Sequence, residues 1–122
     1  MIDPNLFKNL RLRGGFITAS IEFTHAPMMD ALEREAVATT RIVGRRFDLF
    51  IRAGLSEREL SITLYHEILE AATVASLHPP KSVMDFNEGD FERAAQTAHT
   101  EYGDASPETL NRMLQFYGFR EE

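Results

Sequence analysis

The sequence predicts an α+β domain, with a small sheet packed against a central helix and two further helices after it. Three observations carry this expectation. Residues 16–23 and 46–52 are rich in β-branched and aromatic side chains and read as strands. A long apolar run after Ser56 opens with a helix-start signature and closes at Pro79-Pro80. Two later segments, 87–103 and 106–118, each bring their own capping residues.

In chain order, Gly14-Gly15 marks a turn into the strand at 16–23. Pro27 fits the first turn of a helix with Met28, Leu32, Ala36 and Val43 on one face, Glu33, Arg34 and Glu35 elsewhere, and Gly44 as its stop; a strand from Val37 is the alternative for its end. In 46–52, Phe47, Leu49 and Ile51 alternate with Arg46, Asp48 and Arg52, and only Phe50 breaks the period of two. Ser56-Glu57-Arg58-Glu59 has the S-x-x-E form of a capping box. Along residues 60–77, Leu60, Leu64, Tyr65, Ile68, Leu69, Ala71, Ala72 and Ala75 cover more than half the helix circumference, so this helix is expected to be mostly buried. Its narrow remaining arc carries Thr63, His66, Glu67, Glu70 and Thr73.

Residues 81–88 read as a loop bordering any cleft, with Asn87 capping a helix whose body is 90–102 and whose terminator is Gly103. Phe91, Ala95, Ala98 and Tyr102 form its apolar stripe. Glu92 and His99 sit about two turns apart at the edge of that stripe. Ser106 caps the last helix and Pro107 begins it. Leu110, Met113, Leu114 and Tyr117 supply its apolar face, Gly118 ends it, and Phe119 is expected to fold back onto that face.

Composition narrows the function classes. At 122 residues, 43% hydrophobic and 26% charged, without a repeat or linker, the chain reads as one domain over 1–122. With no Cys there is no thiolate nucleophile and no Cys-ligated metal, so any metal chemistry falls to four His and the carboxylates. Thirteen Lys and Arg against 19 Asp and Glu give −6, which argues against nucleic acid as a partner despite the cluster Arg41, Arg45, Arg46 and Arg52. His25 and His78, beside prolines or in loops, are assigned structural or exposed roles. Neither a bilayer-spanning run nor a leader-like opening is present in MIDPNLFKNL, so no membrane partner is expected and a cytoplasmic location is.

The strongest chemical signal is His66-Glu67-Ile68-Leu69-Glu70, an H-E-x-x-E string. Residues i and i+4 project from neighbouring turns, so His66 and Glu70 can reach one metal ion while the offset Glu67 reaches a water bound to it. In H-E-x-x-H zinc peptidases that geometry makes the two His ligands and the Glu a general base.

On these residues, segment 46–102 resembles the core of minimal zincin-like metallopeptidases, close in plan to the small gluzincins and the ImmA/IrrE-like peptidases. Strand 46–52 is similar to that family's edge strand, and the helix with Tyr65-His66-Glu67 to its active-site helix. Glu92-Arg93-Ala94-Ala95 resembles the E-x-x-A start of the family's second helix. The resemblance implies a zincin-like fold, with His66 as ligand, Glu67 as base, Glu92 as third ligand and a peptide or protein substrate. It departs at Glu70, which stands where the family has its second His. His plus two carboxylates would cancel the charge of a divalent ion, whereas His66, Glu70 and His99 would restore the usual count, so Glu92 and His99 remain alternatives. Zinc is the expected cofactor, and an oxygen-rich set also accepts manganese or iron. The expected function is a metal-dependent, peptidase-like hydrolase in which Glu67 activates a metal-bound water; the alternative is a catalytically inactive binding or regulatory module of the same shape.

Overall fold

The computed structural model describes residues 2–26, 28, 29 and 35–120. A 3-10 turn, Pro4–Phe7, leads to strand β1 (Leu10–Leu12) and then to the long strand β2 (Phe16–Thr24). A two-residue ribbon follows, β3 (Met28–Met29) paired antiparallel with β4 (Glu35–Ala36). After it come β5 (Ala38–Val43) and β6 (Arg46–Arg52), and then three helices: α1 (Glu57–Ala75), α2 (Glu88–Tyr102) and α3 (Pro107–Phe116). The architecture is α+β, as expected.

The main sheet has the order β1-β2-β6-β5 and is mixed. β6 runs parallel to β2 and antiparallel to β5, and β1 runs antiparallel to β2. Strand 46–52 is therefore interior, a correction to the edge position that the family resemblance implied. Its composition explains why: Phe47, Leu49 and Ile51 are fully buried on one face and Asp48 is buried on the other, so β6 needs neighbours along both edges and cover on both faces.

The helix expected from Pro27 to Val43 is corrected, and its end follows the alternative expectation of a strand from Val37, since β5 spans Ala38–Val43. Met28, Glu35, Ala36 and 38–43 are strand, while Pro27, Leu32, Glu33 and Arg34 lie outside the described residues. The run Val37-Ala38-Thr39-Thr40-Arg41-Ile42-Val43 is dense in β-branched residues. Pairing with β6 turns Ala38, Thr40 and Ile42 toward the core and Val43 outward at 60% exposure, so ladder bonds outweigh a weak helical stripe. Gly44, at φ +62°, makes the β5–β6 turn instead of a helix stop.

The helices follow their signals closely. Ser56 accepts the Glu59 N–H, Asn87 and Asp90 form a reciprocal capping box, and so do Ser106 and Thr109. α1 buries Leu64, Tyr65, Ile68, Leu69, Ala71 and Ala72, and it packs against α2, α3 and β5. Phe119 is buried against Phe16, with ring centroids 6.2 Å apart. The two sheet edges end differently. Asn111 of α3 covers β1, accepting the Arg13 N–H at 2.9 Å and donating to the Arg11 carbonyl at 3.3 Å. β5, the opposite edge, borders a cleft. No helix among the described residues is long and apolar enough to cross a membrane.

Candidate metal centre

The site is built where the polar arc of α1 meets β5 and the start of α2. The Ser56 cap sets the phase of α1, so that Glu59, Thr63, His66, Glu67 and Glu70 recur at three- and four-residue intervals along one face. That face forms one wall of a cleft of about 830 Å³, β5 forms the other, and Glu88 and Glu92 of α2 close one end.

His66 lies at the centre, with its side chain only 16% exposed. Its Nδ1 is 3.0 Å from Glu92 Oε1, and its Nε2 is 3.3 Å from Glu70 Oε2 and 3.2 Å from Glu88 Oε2. Gln96 Nε2 donates to the second oxygen of Glu92 at 3.1 Å. The Phe91 ring, tilted by 32° at a centroid distance of 6.3 Å, backs the imidazole. The ring is thus held from two sides by carboxylates of two helices, and Phe91 limits its rotation.

The electrostatics follow from four carboxylates sharing one imidazole. Burial alone would lower the His66 pKa; the hydrogen bonds to Glu70 and Glu92 overcome it and hold the ring up at about 9. Burial raises Glu67, and Glu70 adds to this, while His66 and Thr40 oppose it. Thr40 of β5 donates to Glu67 Oε2 at 3.3 Å. The hydrogen bond from His66 lowers Glu70. Glu88, beside Glu70, is pushed up to about 7, against the usual effect of a helix N-terminus on an acidic residue. The cluster therefore keeps a proton on at least one group near neutral pH, because its own cations do not balance it.

The structure brings together His66, Glu67, Glu70 and Glu92, but it does not add His99. That residue pairs with the buried Ser61, Nδ1 to Oγ at 2.8 Å, and the Ala105 N–H donates to the same Oγ at 2.9 Å. Glu92 meets the Nδ1 side of His66, whereas the group that could hold an ion among the described residues is His66, Glu70 and Glu88, whose ligand atoms all lie within 4.8 Å of one another. Glu88, expected in the loop 81–88, is instead the first residue of α2. The signal was present: with Asn87 as cap, Glu88 is the first helical residue and stands one turn before Glu92.

Compared with protein-family models, curated proteins and solved structures, the chain matches none.

Proposed function

We propose that this chain is a metal-dependent hydrolase of peptide bonds, built on the zincin plan. The observation that carries the reading is the convergence of Glu70 and Glu88 on His66 Nε2, next to the half-buried Glu67 and facing a cleft beside a sheet edge. The donor set, one imidazole nitrogen and carboxylate oxygens, is chemically suited to a divalent ion. Separations of 3.2 and 3.3 Å between nitrogen and oxygen donors are those of ligands around one ion with bonds of about 2.0–2.2 Å. His66, Glu70 and Glu88 would hold the ion; a divalent cation there supplies a Lewis acid for the carbonyl and for water.

The rest belongs to the chain's own side chains. Glu92 accepts from Nδ1 and so keeps the Nε2 lone pair turned to the cleft, the orienting role of a carboxylate behind a ligating imidazole. Glu67, raised by burial, would take a proton from the water that adds to the carbonyl carbon and return it to the amine nitrogen as the C–N bond breaks. Thr40 fixes that carboxylate against β5, along which an extended substrate can lie.

The test compares metal content with turnover. The full chain should take up one equivalent of zinc, manganese or iron and cleave a mixed peptide library. His66→Ala should lose the metal, and Glu67→Gln should retain it while losing turnover. Equal metal content in all three forms would sink the reading. Because His66 is held up at about 9, zinc uptake at pH 7 should also release a proton, visible by calorimetry in buffers of different ionisation enthalpy. One observation favours the non-catalytic alternative: an imidazole with two carboxylates cancels a divalent charge. Glu70→His separates the two readings, since it should raise turnover in a hydrolase and leave a binding module inert.

A further inference from the structure

The charge of the cleft points to its substrate. Among the described residues, its lining contains five carboxylates, from Glu59, Glu67, Glu70, Glu88 and Glu92, and no Lys or Arg. Four of these belong to the His66 cluster; Glu59 does not. It precedes Glu67 by eight residues, about 12 Å along the helix axis, and Glu70 by eleven, about 16 Å. At physiological salt such distances exceed the screening length of about 8 Å, so Glu59 acts on a ligand by itself. Its Oε1 accepts the Ser56 hydroxyl at 3.0 Å, which holds the carboxylate at the first turn of α1. Between it and Glu67, Ile62 on α1 and Ala38 on β5 line the cleft with apolar surface. An apolar wall ending in a fixed carboxylate suits a long aliphatic stem with a cationic head.

Resting on the hydrolase reading for the bond acted on, we infer that the cleft selects a peptide carrying Lys or Arg, whose head group Glu59 takes two to four residues from that bond. The spacing is that of an extended chain at about 3.3 Å per residue across 12 Å, with the reach of the side chain allowed for. An acidic segment meets repulsion along the whole cleft.

The experiment reads binding, so that turnover does not enter it. Fluorescein-labelled nine-residue Ala/Ser peptides with one central Arg, Gln or Glu are titrated by anisotropy onto the full chain carrying Glu67→Gln, with and without zinc. At physiological salt the Arg peptide should bind about five-fold more tightly than the Gln peptide, and the Glu peptide more weakly than both. Adding Glu59→Gln should shrink the gap to about two-fold at an unchanged Kd for the Gln peptide, and Glu59→Lys should reverse the order of the Arg and Glu peptides. Equal binding of Arg and Gln peptides, a gap that survives Glu59→Gln, or binding of none of the three overturns the inference. Selective binding without turnover in the unsubstituted chain would defeat the hydrolase reading alone; turnover without charge selectivity would defeat only this one.

Discussion

A lone carboxylate in the sheet and a group of four on the helices packed against its other side are treated in opposite ways. On the face turned away from the helices, Asp48 is buried with its cations built in: Arg41 donates from Nη2 at 2.9 Å and from Nε at 3.3 Å, Ser20 donates at 3.0 Å, and Arg46 Nε lies 3.8 Å away. These partners, led by the Arg41 bond, hold the Asp48 carboxyl below its usual range despite burial. On the helix face, Glu67, Glu70, Glu88 and Glu92 share one imidazole, and the carboxyls of Glu67 and Glu88 are held above theirs. The first set is complete as folded. The second keeps more carboxylates than its one imidazole balances, and this difference is what the proposed metal site rests on.

The comparison breaks most visibly if the complete set is opened. Asp48→Ala should destabilise the fold by about 2–3 kcal/mol, because it removes charge-assisted bonds from a buried position and leaves Ser20 without its acceptor. Saturating zinc should shift the melting temperature of the variant as much as that of the parent, since Asp48 lies outside the metal group. The lowered carboxyl adds a pH signature. Its stabilisation is present above the ordinary aspartate pKa near 3.8 and is lost as pH falls through the lowered value, so Asp48→Ala should flatten the acid limb of the parent's stability curve. A zinc affinity that fell along with stability would mean that the two faces are coupled.

Glu92 tests the second set from behind. Glu92→Gln keeps an acceptor for His66 Nδ1 but removes the charge, and by the usual size of such outer contacts it should weaken zinc binding about ten-fold, some 1.4 kcal/mol. Metal stoichiometry should remain one. A variant that lost the ion altogether would make Glu92 a direct ligand, returning it to the role implied by the family resemblance and displacing Glu88.

How much of this was legible in the sequence divides along physical lines. Local chemistry was readable: Ser56, Asn87 and Ser106 cap where their side chains satisfy free N–H groups, and His66, Glu67 and Glu70 share an arc because helical spacing alone puts them there. What depended on partners distant in sequence was not. Residues 38–43 form a strand because β6 accepts them, not because their own pattern excludes a helix. Glu92 and His99 looked equivalent on α2, yet one reaches His66 and the other the buried Ser61, a choice made by the packing of α1 on α2. Glu88 entered the site through a boundary shift of two residues, which is where helix assignment from sequence is weakest.

The smallest expected effect is the most diagnostic. The hydrogen bond with Glu70 pushes Glu88 up to about 7 from an ordinary value of 4.5, and a raised carboxyl contributes its full stabilisation below its unfolded pKa and loses it as pH rises through 7. His66 has the same sign: its stabilisation is complete below 6.5 and disappears as pH passes 9. The metal-free protein should therefore lose stability steadily from pH 5 to 9. Glu88→Gln should remove the lower part of that slope and raise the melting temperature at pH 8. The upward displacement already sums repulsion from Glu70 with attraction to His66, so the net sign is a gain for the neutral variant. Glu88 is 76% exposed and solvent screens much of the interaction, so the gain should stay under about 1 kcal/mol, some 2 or 3 °C. With zinc the order must reverse, because the parent gains more from an ion it binds more tightly. A variant more stable than the parent both with and without zinc would show that Glu88 is only a misplaced surface charge.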